Sequence, residues 1–262
     1  MSHNILSIDK EIFQAFVLHG ARVAGIYKST MHISLQETIL TLGDRVGFGK
    51  HHIVCKEKIP FSELDYKVGD DVKIENHILT IASHQFIIHE AAIIEYKPFD
   101  RIYTLNQKSY QCLKALREMI EKDHDQNLFR FPKDNPWLKY QFEKIQVFLA
   151  APGLPSALSI LGLGMGLTPL GDDILTGFIL GLQAVGKTLP WIPKLIETAK
   201  IKTSQLSYQN LKDTYDRYYP NIFIDMMEGV FTQNDIEKAK AILNLGATSG
   251  AGILTGFIYG CM

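Results

Sequence analysis

Two adjacent carboxylates, Asp172 and Asp173, stand at the head of an apolar run and just behind a loop rich in glycine. The stretch reads Gly162-Leu-Gly-Met-Gly-Leu-Thr-Pro-Leu-Gly-Asp-Asp-Ile-Leu-Thr-Gly-Phe-Ile-Leu-Gly181. Paired carboxylates next to a hydroxyl, here Thr168, can exchange protons, orient an amide NH2 or, together with a substrate phosphate, hold Mg2+. Asp172 and Asp173 are therefore the catalytic candidates, and the same pair are the candidate metal ligands. Mg2+ is the one cofactor these residues suggest. The apolar run from Ile174 to Leu180 has a helical composition, which puts both carboxylates in a first turn, where the macrodipole favours them. Capping is thus their plainer alternative role. The glycines ahead of the helix, Gly164, Gly166 and Gly171, free the backbone to take positive φ and to approach another group closely. With Thr168 they form candidate ligand-binding residues, because loop N–H groups at a helix start suit a small anion.

The pattern occurs a second time. Gly246-Ala-Thr-Ser-Gly-Ala-Gly-Ile-Leu-Thr-Gly-Phe-Ile-Tyr-Gly260 shares the hexapeptide Ile-Leu-Thr-Gly-Phe-Ile with the first copy. Treating Leu170 as one extra residue matches Thr168 with Thr248, Pro169 with Ser249 and Gly171 with Gly250. Thr248, Ser249 and Gly250 join the ligand-binding candidates. The carboxylates are not repeated: Ala251 and Gly252 stand opposite Asp172 and Asp173. Gly177 and Gly181 lie four apart, as do Gly256 and Gly260, so each helix carries a flat stripe suited to close helix packing. Two helices packed along those stripes bring their glycine-led loops together.

Two other motifs compete for the chemistry. Gly181-Leu-Gln-Ala-Val-Gly186-Lys187-Thr188 spells a P-loop, but a working one follows a strand and opens a helix. Here a helix precedes it and Pro190 and Pro193 follow, so Gly186 and Lys187 read as a helix C-terminus. Gly162-x-Gly164-x-Gly166 has the look of a dinucleotide loop, yet the segment before it is helical in composition and the acidic residue comes too soon for a ribose contact.

These residues need a scaffold, and the chain is long enough for one. Its 262 residues are 46% hydrophobic and 21% charged, with a net charge of -1. A packed core is expected, and with no basic block there is no call for a nucleic-acid partner. The widely spaced Cys55, Cys112 and Cys261 form neither a metal spacing nor a disulfide framework. Met1 to Lys10 has no signal-peptide pattern, and Asp172 and Asp173 interrupt the apolar glycine segments. No membrane association and a cytoplasmic location are expected.

The fold class read from the pattern is α+β, with a β-rich, barrel- or sandwich-like unit over residues 1–100 and a helical unit over residues 101–262 carrying both glycine motifs. The first unit opens with a short helix bearing Ile12, Phe13, Phe16 and Val17, ended by Gly20. Strands are expected at Arg22–Tyr27, Met31–Leu35, Thr38–Leu42, His52–Lys56, Val72–Glu75, Ile78–Ile81, Gln85–His89 and Ala91–Glu95, with a hairpin turn at Asn76-His77. His51, His52, His77, His84 and His89 lack metal spacing and read as surface or turn residues. Lys97-Pro98 marks the boundary. Helices are expected over Gln107–Lys122, from an Asn135 cap with Pro136 at N1, over Pro155–Leu161, and over Lys194–Tyr218 with a break near Thr203. Asn221–Val230 and a last amphipathic helix capped by Asn234 and closed by Gly246 complete the reading.

Gly-x-Gly-x-Gly-Leu-Thr-Pro-x-Gly-Asp-Asp-x-Leu-x-Gly resembles the hallmark of a bacterial family, AllH-like and formerly a domain of unknown function, that includes a subunit of the oxamate carbamoyltransferase of anaerobic allantoin degradation. Gly246-Ala-Thr-Ser-Gly250 resembles the family's C-terminal signature. Thr203 and Ser207 match the Thr and Ser the family tends to show between the two. Gly252 departs from the pattern, standing where an acidic residue is expected. The resemblance covers roughly the C-terminal half. It implies carbamoyl transfer between oxamate and phosphate, the physiological direction releasing carbamoyl phosphate from oxalurate. It also implies companion carbamoyltransferase subunits as partners, a small anionic substrate, and activity only in their complex; a homo-oligomer stays open. The other class of function is a non-catalytic metabolite-binding or scaffold subunit.

Overall fold

The computed structural model describes residues 2–44, 49–122, 135–245 and 248–262. The chain divides into two compact units. One comprises Met1–Pro98 with Tyr218–Asn221, and the other Phe99–Arg217 with Ile222–Met262.

The first unit is an eight-stranded β-barrel. Its strands are β1 (Ser2–Asp9), β2 (Ala21–Ile26), β3 (Thr30–Leu35), β4 (Thr38–Gly43), β5 (His52–Cys55), β6 (Asp71–Glu75), β7 (Ile78–Ile81) and β8 (His84–Ile88). They run in the order β5-β4-β3-β2-β6-β7-β8-β1, and β1 pairs with β5 to close the ring. A short β9 (Ile93–Ile94) lies along β1. Closure removes the exposed edges that an open sheet would leave. The interior is packed with Ile5, Leu35, Leu40, Ile53, Leu79 and Phe86. Asn76 and His77 both have positive φ, as a two-residue primed turn requires, and they join β6 to β7 in register. Helix α1 (Lys10–Leu18) is capped by the Asp9 carboxylate and ends at His19, one residue before Gly20.

Two features of this unit differ from the sequence reading. Strand β1, which completes the ring, was not expected. His84 is buried rather than a surface residue, and its Nε2 lies 2.9 Å from Asp65.

The second unit is helical: α2 (Gln107–Lys122), α3 (Pro136–Ala150), α4 (Leu154–Ile160), α5 (Leu170–Ala184), α6 (Ile192–Lys202), α7 (Gln205–Tyr215), α8 (Asn221–Glu228), α9 (Glu237–Lys240) and α10 (Ser249–Cys261). Asn135 Oδ1 accepts from the Trp137 and Leu138 N–H groups at the head of α3, with Pro136 at the first helical position. The chain breaks between α6 and α7 at Thr203. One expectation fails here. Asn234 is left-handed and ends a π-helical turn at Gly229–Gln233, while the Glu237 N–H at the head of α9 donates to the Asp235 carboxylate. Gly246, expected to close that segment, lies outside the described residues.

At the centre of this unit are α5 and α10. From Gly171 to Ala184 every residue of α5 is buried, the polar Asp172, Asp173, Thr176 and Gln183 along with the apolar majority. The two helices run parallel, glycine face to glycine face. A Cβ on Gly177 would lie 1.9 Å from the Ile253 carbonyl oxygen, and one on Gly256 would lie 2.0 Å from that of Ile174. One turn on, Gly181 meets Phe257 and Gly260 meets Phe178, each at 2.3 Å. Under the repeat alignment these contacts are reciprocal: each glycine of one copy faces the same partner in the other.

Candidate functional site

Because α5 and α10 are parallel, both N-termini lie at one end. Each start is built the same way. Gly171 N–H donates to Leu163 O at 2.8 Å and Gly250 N–H to Leu245 O at 2.9 Å. A Cβ would fall 1.8 Å from Ile160 O at Gly171, and 2.1 Å from Ile242 O at Gly250. The duplication therefore extends upstream of the aligned glycines, to Ile160-Leu-Gly-Leu163 and Ile242-Leu-Asn-Leu245. Gly171 and Gly250, both expected among the ligand-binding residues, also shape the helix starts. Their N–H groups are engaged by the chain, and their missing side chains let each helix press on the turn before it.

The loop of the first copy is shaped by three left-handed glycines, Gly162, Gly164 and Gly166. Gly164 passes so near the helix start that a Cβ would meet Leu170 N at 2.5 Å, whereas a Cβ on Gly166 would meet nothing within 4 Å. Thr168 and Ser249 come together at the junction, with Oγ1 and Oγ 3.0 Å apart. Thr248 is exposed beside them.

Neither carboxylate caps its own helix. Asp172 is 1% exposed, and both its oxygens are engaged: Oδ1 accepts from Gly162 N–H at 2.6 Å, and Oδ2 from the Thr203 hydroxyl. Ser207 stands close to the same carboxyl without making a hydrogen bond. Burial raises the Asp172 carboxyl above the usual range, and these donors oppose the rise. Asp173 differs. It is 5% exposed, its Oδ2 has no hydrogen-bond partner, and the Ser249 and Thr168 hydroxyls stand beside it. Burial pushes its carboxyl up to about 8, with help from the charge of Asp172. A carboxyl in that range can take up and release a proton near neutral pH.

The expected Mg2+ pair is split in this arrangement. Each Asp172 oxygen already accepts a hydrogen bond from the chain whereas Asp173 Oδ2 has no partner, so the two carboxylates are not presented alike to a cation. Among the described residues no group of three or more His, Cys, Asp or Glu is placed to hold a metal ion. No helix among them is long and apolar enough to cross a membrane.

The P-loop spelling at Gly181–Thr188 closes α5 instead. Gly186 is left-handed, Lys187 N–H donates to Leu182 O at 2.8 Å and Gly186 N–H to Gln183 O at 3.2 Å, the double bond pattern of a glycine-ended helix. Lys187 Nζ reaches across to the Cys261 and Met262 oxygens at the end of α10. We expect Lys187→Ala to cost about 1 kcal/mol of stability, a lost charge-assisted contact at a helix end, and to leave anion affinity unchanged. Thermal melts and ligand titration of the variant check this, and nucleotide binding lost with the lysine would reverse the assignment.

Asp172 is legible as a chemical candidate, and Thr203 as a helix break and a residue of the family pattern, but the two are not joined in the sequence. Nothing in their spacing reveals that the α6–α7 corner folds back over the first glycine loop.

The fold and this junction define an α+β chain whose helical unit is organised on a duplicated, glycine-led helix start. Residues 160–261 match the model of the family described as oxamate carbamoyltransferase subunit AllH. The match runs from the turn ahead of the first copy to the end of the second, so the similarity takes in both. No solved structure matches the chain.

Proposed function

We propose that this chain is a subunit of a carbamoyltransferase complex acting on oxamate or oxalurate and carbamoyl phosphate, in the catabolism of purines through allantoin. It works with companion subunits. Its own share is to hold the small anionic substrate where α5 and α10 begin, with the Thr168, Thr248 and Ser249 hydroxyls and the loop N–H groups of Gly164 and Gly166 as donors. Asp173 exchanges a proton with the carbamoyl nitrogen or the phosphate. The observation that carries this reading is the Thr168–Ser249 pair, 3.0 Å apart, beside a buried Asp173 oxygen with no partner. One observation favours the second reading, a metabolite-binding subunit without chemistry: with Asp172 fully engaged, a single carboxyl remains for catalysis.

Titrating phosphate, oxamate and carbamoyl phosphate into the chain, alone and with companion subunits, tests the proposal. Ser249→Ala should weaken anion binding by about 1 kcal/mol, roughly fivefold, for one lost hydrogen bond. Equal affinity in wild type and variant would place the ligand elsewhere. Binding without turnover in the assembled complex would favour the second reading.

A further inference from the structure

Three consecutive residues at the α6–α7 corner reach α4, the head of α5 and the first glycine loop in turn. Lys202 Nζ donates to Leu158 O, Thr203 Oγ1 to Asp172 Oδ2, and Ser204 Oγ to Leu167 O at 2.6 Å. Ser204 is itself fixed, since its Oγ also accepts the Ser207 N–H at the head of α7. Asp172 passes the hold of Thr203 on to Gly162, whose N–H it accepts. There is no slack at that point: Gly162 is left-handed, and a Cβ on it would lie 2.8 Å from Lys202 O. The segment from Gly162 to Leu167 is thus tied down at both ends, while Met165 and Gly166 stay exposed between the ties.

We infer that Thr203 is a positioning residue: through Asp172 it fixes the loop that presents Gly164, Gly166 and Thr168. This rests on the ligand reading above, but the grip itself is measurable without any ligand. Thr203→Val removes only the hydroxyl, and the extended backbone at this position suits a β-branched residue, so the fold should persist.

Hydrogen exchange and ligand titration together test it. In Thr203→Val the amides of residues 162–167 should exchange about tenfold faster, with those of α5 unchanged, because one buried hydrogen bond of the tie is lost. Affinity for phosphate, oxamate and carbamoyl phosphate should fall by a similar factor, and Thr203→Ser should restore both. With companion subunits present, the loss should appear in KM more than in kcat. Unchanged loop exchange in Thr203→Val overturns the inference, and so does faster exchange with undiminished affinity. If wild type binds none of the three anions while exchange still rises, the ligand reading falls and the grip stands. Should the valine variant fail to fold, Thr203→Ala carries the same test.

Discussion

Replacing Asp173 with Asn is expected to abolish transfer by the assembled complex and, at the same time, to stabilise the folded chain at alkaline pH. The first effect follows from the proposed role, since an amide keeps the shape but cannot exchange a proton near neutrality. The second follows from burial. The folded carboxyl is raised to about 8 from an ordinary 3.8, so between those values the folded chain holds a proton that the unfolded chain has released. Stability therefore falls as pH rises from about 4 to about 8 and is level beyond, where the cost is fully present. Asp172, also raised by burial, contributes in the same direction. The variant removes the Asp173 contribution, and its advantage at pH 9 should be on the order of a few kcal/mol and vanish by pH 4. Denaturant melts at both pH values give the difference directly. A gain that does not depend on pH would mean that Asp173 is ionised in the fold, and wild-type turnover would end its catalytic role.

Gly256→Ala and Gly177→Ala should be among the most destabilising single-methyl changes in this chain. The added carbon would sit at 2.0 and 1.9 Å from a backbone carbonyl oxygen, far inside any contact, and backbone cannot swing aside as a long side chain can. The helices would have to part, loosening the packing around Phe178 and Phe257 and costing about 3–5 kcal/mol. Gly166→Ala is the control. With open space around it, the added methyl pays only for the left-handed backbone, about 1–2 kcal/mol. Midpoints of thermal unfolding for the three variants should separate accordingly. If the helix variants melt like wild type, the close approach of α5 and α10 is wrong.

Much of this arrangement is legible in the residues. The glycine stripes give the packing faces, the Asn135-Pro136 start gives the head of α3, and the break at Thr203 divides α6 from α7. Asn76-His77 gives the hairpin between β6 and β7. What escaped depends on contacts distant in sequence. Strand β1 has a register shift between Ile5 and Ser7 that spoils simple alternation, and its partners, β5 and β8, lie dozens of residues away. The difference between Asp172 and Asp173 escaped for the same reason. Neighbours in sequence point different ways on a helix, and only the folded corner at Thr203 decides which of them is tied and which is left with an unpartnered oxygen.

The reciprocal contacts of α5 and α10 also bear on why two stretches some eighty residues apart carry one hexapeptide. Each helix is both the mould and the cast of the other. The groove that receives Ile174 is the one Gly256 leaves, and the groove that receives Ile253 is the one Gly177 leaves. A larger residue at either glycine collides with a carbonyl that no substitution can remove, so neither segment can relieve a change in the other. A single mutual fit thus fixes the glycines of both segments at once.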